Sequence, residues 1–169
     1  MFAPLLLPLM VACVQVESNF SEALSSEGVY TVAGDLDQGD FAYDGIEEEV
    51  FDIIGTSWGR GAGKNRAKRN QKSNSYAIDI TNSVLEVIGR TSYRRAGIDF
   101  DLIGPDVMDL DVVTREGDVY LEDVAGIHVV TADEIVTTRL IGDADFYAYE
   151  GMDVEIWPYE DGIVTLDSL

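Results

Sequence analysis

The sequence predicts an all-β protein: a short single-stranded β-solenoid (β-helix) preceded by an irregular β region. Three observations carry that reading. The apolar runs are four or five residues long, rich in β-branched and aromatic side chains, and several alternate with polar residues at period two, as half-buried strands do. Glycines punctuate the chain at short intervals, 16 of them in 169 residues, where turns are needed. In the C-terminal third, Val112-Val113-Thr114 recurs as Val129-Val130-Thr131, seventeen residues on, and Gly117, Glu134 and Gly151 keep that step. A short fixed period of paired strands is the mark of coils that bury their apolar faces only by stacking. A length of 169 residues with 46% hydrophobic side chains suffices for one domain with a real core.

The first twelve residues, Met1 to Ala12, carry no charge and are mostly Leu, Met, Val and Pro. The run is shorter than the roughly 20 residues of a membrane-spanning helix, and Pro4 and Pro8 oppose a long helix. It reads as a signal peptide over 1–12. Leu9-Met10-Val11-Ala12-Cys13 resembles a bacterial lipobox, and that resemblance implies that Cys13 becomes the lipidated first residue. Residues 13–28, with Ser18, Asn19, Ser21, Ser25 and Ser26, read as a linker, and 29–169 as the domain.

Within that domain the expected strands are Val29–Val32, Asp40–Tyr43, Val50–Ile54, Tyr76–Ile80, Val84–Ile88 and Ile98–Leu102. The repeat adds Leu110–Thr114 with Val119–Leu121, Ile127–Thr131 with Ile135–Thr138, Phe146–Tyr149 with Val154–Trp157, and finally Ile163–Leu166. Between Trp58 and Ser75 the composition inverts. Arg60, Lys64, Arg66, Lys68, Arg69 and Lys72 are six of the eleven basic residues, and no acid lies between Asp52 and Asp79. This segment reads as a loop with one or two helical turns over Lys64 to Lys72.

Charge sorts the functions. Eleven Lys and Arg face 32 Asp and Glu, a net −21, which opposes general binding of nucleic acid or of anionic membranes. Outside 60–72, five cations remain against all 32 acids, a balance of −27. The segment Arg60, Lys64, Arg66, Lys68, Arg69 and Lys72 is therefore the expected partner-binding surface, for an envelope protein, a glycan or anionic lipid. A single Cys and a single His exclude an internal disulfide and a Cys- or His-rich metal centre within one chain, and no cofactor or metal is expected.

Other candidates read as structural. Gly59-Arg60-Gly61-Ala62-Gly63-Lys64-Asn65 departs from a phosphate-binding loop at Trp58 and Asn65, so the Mg²⁺-binding hydroxyl is missing. Asp35-Leu36-Asp37-Gln38-Gly39-Asp40, near Asp44 and Glu47–Glu49, fails EF-hand spacing and reads as a solvated turn. His128 is expected on the outer face of its strand. Tyr147, Tyr149, Trp157 and Tyr159 are expected in the core. Gly117 is expected in a tight corner at φ > 0.

Ile98-Asp-Phe-Asp-Leu-Ile-Gly-Pro105, followed by Leu110-Asp-Val-Val-Thr-Arg-Glu-Gly-Asp-Val-Tyr-Leu-Glu-Asp-Val-Ala-Gly126, resembles the putative adhesin family of exported bacterial β-solenoid domains. The resemblance runs over roughly 29–169 and is best at 98–136. It implies architecture and brings no functional residues. The expected function is a non-enzymatic binding or structural module of the bacterial cell envelope, exported and anchored to the membrane through lipid on Cys13. The alternative is an exported polysaccharide-directed enzyme on a β-helical scaffold, which needs a groove of converging carboxylates.

Overall fold

A computed structural model describes residues 13–158 and 162–169; the expected signal peptide and Tyr159 lie outside the described residues. The chain runs β1 (Val14–Ser25), β2 (Thr31–Leu36), β3 (Phe41–Ile46), β4 (Val50–Gly61), α1 (Lys64–Gln71), β5 (Ser75–Thr81), β6 (Val84–Arg90), β7 (Ala96–Pro105), β8 (Asp109–Thr114), β9 (Val119–Glu122), β10 (Ala125–Trp157) and β11 (Val164–Ser168). Every expected strand from β2 onward has a counterpart within a few residues. The alternation is clean, with Val32, Gly34 and Leu36 buried on β2 and Phe41, Tyr43 and Gly45 on β3. That parity puts one face of each strand into the core.

The β-solenoid expectation is overturned. All eleven strands join one mixed sheet, in the order β1-β4-β7-β3-β9-β10-β8-β2-β6-β5 with β11 added to β10, and the sheet curls into a half-barrel. Its centre is parallel: β2 with β6 and β8, β3 with β7 and β9, and β10 with β8, β9 and β11. Its wings are antiparallel: β1 with β4, β4 with β7, and β5 with β6. The order of the chain is also broken. β3 lies between β7 and β9, and β2 between β6 and β8, so residues 31–46 sit between segments that come much later in sequence. Alternation at period two says which face is buried but not which strand is the neighbour or which way it runs, and so the wings were invisible to it.

The seventeen-residue step is an average of two registers. Leu110 pairs with His128 and Val112 with Val130, a step of eighteen, while Val119 pairs with Ile135, a step of sixteen. The 33 residues of β10 would span about 110 Å if straight. Positive φ at Gly126, Arg139 and Gly142 bends the strand instead, so it meets β8, then β9, then β11 in turn.

Strand entries are closed by aspartates. Asp99 Oδ1 accepts from Asp40 N (3.2 Å), Asp40 Oδ1 from Asp118 N (3.0 Å), and Asp118 Oδ1 from Glu134 N (3.1 Å). Asp109 Oδ1 accepts from Ile127 N (2.8 Å) and Asp143 Oδ1 from Ile163 N (3.0 Å). Each carboxylate satisfies a backbone donor of the adjacent layer that the ladder leaves unpaired. Part of the acidity of this chain is thus structural. The Gly117 corner is as expected, with φ +154, and a Cβ there would stand well inside 3.0 Å of Gly39 O. Where Glu134 interrupts the glycine pattern, the corner is closed by Asp133, whose N donates to Gly117 O (2.9 Å) and whose Oδ2 accepts from Gly117 N (3.0 Å).

Residues 13–28 are not a linker over most of their length: β1 is a twelve-residue strand paired along its whole length with β4, from Val14 opposite Gly61 to Ser25 opposite Val50. Its side chains alternate between half-buried and exposed, and none is fully buried, because it is an edge strand with Phe20 and Leu24 as its apolar contacts to the core.

Candidate functional site

The basic segment forms one end of the molecule. Its seat is built from glycine. A Cβ on Gly59 would stand within 3.0 Å of Gln71 N and Ala67 O, and one on Gly61 within 3.0 Å of Ala67 N. Bare backbone at both positions therefore lets α1 lie directly on β4. The glycines of the phosphate-loop-like stretch are thus accounted for by helix packing. Ala67 and Asn70 are buried beneath the helix, and Asn70 Nδ2 donates to Arg60 O (2.7 Å). Gln71 Nε2 donates to Ser18 Oγ and ties the helix to β1. Asn74 Nδ2, just past the helix, donates to Gly97 O (2.7 Å) on β7. The helical turns expected within this segment are thus a docked two-turn helix.

With Ala67 and Asn70 facing the sheet, the helical period turns Lys64, Arg66, Lys68, Arg69 and Lys72 to solvent, and all five are exposed. Lys68 and Arg69 occupy the last turn, where cations oppose the negative end of the helix dipole. Arg60 lies on β4 beside them. Its Nε donates to Gln15 Oε1 (2.6 Å), and its guanidinium sits 4.8 Å from the Trp58 ring centroid. Trp58 Nε1 in turn donates to Asp99 Oδ1 (2.8 Å), and burial raises the pKa of that carboxyl. Two further cations were missed in the sequence. Arg60 N donates to Arg95 O (2.7 Å), which brings the exposed pair Arg94-Arg95 to this end. The doublet itself was the available signal.

Among the described residues none of these cations is ion-paired, whereas Arg90, Arg115 and Arg139 all are. Asp35 and Asp37, read as a solvated turn, take Arg115 at 2.9 and 3.0 Å and Arg90 as well, and the Arg90 hydrogen bond lowers the Asp35 pKa. Glu47–Glu49 are not counterions of the basic segment. They precede Val50 at the start of β4, and Arg60 is near its end, roughly 35 Å away along the strand. Cys13 is at the basic end: it is exposed and immediately precedes Val14, the partner of Gly61.

An open groove of about 300 Å³ on the outer face is lined by Asp44, Asp101, Tyr120, Glu122 and Thr138, among others. Burial and the charges of Glu122, Asp123 and Asp101 raise the Asp44 pKa. At its rim Arg139 is held by Asp123 and by Glu122 (2.7 Å). His128 is not on the outer face. It is fully buried, and neither ring nitrogen has a hydrogen-bond partner among the described residues; burial lowers its pKa. The residues around it are apolar on both parities, so sequence could not set the side. The structure sets it by pairing His128 and Val130 with buried Leu110 and Val112, which leaves Ile127 and Val129 outside. Tyr149 and Trp157, expected in the core, are 56% and 58% exposed.

No family model matches the chain, and no curated protein does. Solved structures of bacterial proteins resemble it. A putative cell adhesion protein from Clostridium sporogenes is 10% identical, with a TM-score of 0.41 over 79% of this chain and 73% of that one. A putative lipid binding protein from Parabacteroides distasonis is 8% identical, at 0.36 over 81% and 68%. A putative adhesin from the same species is 10% identical, at 0.32 over 87% and 75%. Likeness at this level transfers neither ligand nor activity.

Proposed function

We propose that this chain is a non-enzymatic binding or structural module of the bacterial envelope, exported, anchored through lipid on Cys13, and using its basic end as the binding surface. One observation carries the reading: six cations in thirteen positions, on a chain otherwise at −27, are displayed on a docked helix, its C-cap and the strand end beneath it, with no carboxylate of the described residues paired to them. Exposed pairs are worth only about 0–1 kcal/mol each. The fold would lose little by scattering these charges, so their concentration asks for a partner. The sole cysteine, after an uncharged apolar run, supports the anchor. Among the described residues no helix is long and apolar enough to cross a membrane. The test is metabolic labelling with a fatty-acid analogue in a bacterial host, wild type against Cys13→Ala. The label should follow the wild type alone; equal labelling of both refutes the anchor.

A second reading, a polysaccharide-directed enzyme, is favoured by the outer groove, where the carboxyls of Asp44, Asp101 and Glu122 line one depression and burial and the neighbouring carboxylates raise the Asp44 pKa. The groove sets Glu122 against Arg139 and so ties up one of its acids. Release of reducing ends from envelope polysaccharides, abolished by Asp44→Ala, would favour this enzyme over the binding module.

A further inference from the structure

We infer that the basic end is a membrane-facing surface, docking on anionic lipid head groups of the same membrane that holds Cys13. The inference rests on the anchored reading for its tether and adds an orientation and a ligand chemistry. It follows from where β1 begins. Val14 is already in the sheet, opposite Gly61, so no spacer separates Cys13 from the folded body. An acyl chain on Cys13 holds this end of the half-barrel against the bilayer. Arg60 is one residue from that point on β4, its guanidinium bonded to Gln15 of β1, and α1 starts three residues beyond Gly61.

The charges agree with that placement. The cations of this end, Arg94 and Arg95 included, are exposed and free of ion pairs among the described residues. The opposite end of β4 carries exposed Glu47, Glu48 and Glu49, roughly 35 Å farther out. An anionic surface attracts the first end and repels the second, so one orientation is selected. A soluble acidic protein or polyanionic glycan matches the same charge, but only a membrane is brought to this face by Cys13.

The sequence supplies its own reporter. Lys64, Lys68 and Lys72 are the only lysines, and all lie on this face. The full chain is coupled through Cys13, the only thiol, to a maleimide lipid in vesicles of phosphatidylcholine alone or mixed with phosphatidylglycerol. Amine-reactive labelling of the three lysines is then followed by peptide mass spectrometry. On mixed vesicles their labelling should slow by about fivefold, the order of one cation's attraction to an anionic surface, and the protection should vanish in about 1 M salt. Replacing Arg60, Arg66 and Arg69 with Ser should weaken it, with an unchanged melting temperature showing that the fold is intact. Equal labelling on both vesicle types, or protection by soluble heparin but not by lipid, overturns the proposal. The tether is chemical, so failure here is separate from failure of Cys13 to be lipidated in cells.

Discussion

Gly117→Ala tests the corner on which two layers of the sheet meet. Gly117 has φ +154, which L side chains rarely adopt, and its missing Cβ leaves room for Gly39 O. The alanine carries two costs. Forcing a non-glycine into that conformation costs about 1–3 kcal/mol. The methyl would also overlap a backbone carbonyl, which cannot rotate away as a side chain does, and overpacking of this kind costs about 1–3 kcal/mol. One backbone movement relieves both, so the expected loss is about 2–4 kcal/mol. For a chain of this size that lowers Tm by roughly 5–15 °C. Urea denaturation followed by circular dichroism should show an earlier midpoint with an unchanged slope. Gly151→Ala is the control, because a Cβ there meets nothing within 4 Å and its φ is not positive. A Gly117→Ala midpoint equal to the Gly151→Ala midpoint would refute the argument.

Asp118→Ala removes the acceptor of Glu134 N and should cost about 1–2 kcal/mol by urea denaturation, most of it restored in Asp118→Asn, which keeps an oxygen there. Burial lowers the His128 pKa from 6.5, so the unfolded chain binds the proton more readily and stability falls as pH drops below about 6.5. His128→Leu should therefore shrink the difference in melting temperature between pH 7 and pH 5.5, and an unchanged difference would show that His128 does not titrate in this window. Asp99 is the opposite case. Burial raises its pKa above 3.8, so its charge opposes the fold at neutral pH, while Asp99→Asn keeps the oxygen that accepts from Trp58 Nε1 and Asp40 N. Stability at pH 7 should hold or rise in Asp99→Asn, and a large fall would mean that the charge itself holds Trp58.

Local chemistry was well written in this sequence and long-range partnership was not. The strands Tyr76–Ile80, Val84–Ile88 and Ile98–Leu102 were legible because alternation and β-branching act on single segments. The repeat at 110–138 was legible because its parallel partners lie sixteen and eighteen residues apart. The pairing of β3 with β7 joins Phe41 to Phe100, 59 residues on, and nothing local records it. β1 was missed for a related reason: its serines and Asn19 resemble a spacer, and it is a strand only because β4 supplies its hydrogen bonds. At the site, the cluster of cations was plain. The seat provided by Gly59 and Gly61 was hidden within a pattern that first suggests a phosphate loop. His128 was placed on the wrong side because Ile127, Val129 and Val130 make both faces of its strand apolar.

The two ends of the sheet path, β1 and β5, meet through one aromatic pair: Phe20 and Tyr76 stack with centroids 3.7 Å apart and planes within 2°. Phe20 also fills the space above Gly55 and meets Phe100 edge-on at 5.8 Å. A sheet with open margins is a template for strand addition, and here β11, paired only with β10, adds a third margin to those of β1 and β5. The ring pair ties β1 to β5, while the net charge of −21 keeps separate molecules apart at all three margins. The two safeguards fail under different conditions. High salt removes the second without touching the first, and only the loss of both together would leave the margins of β1 and β5 open to strand addition.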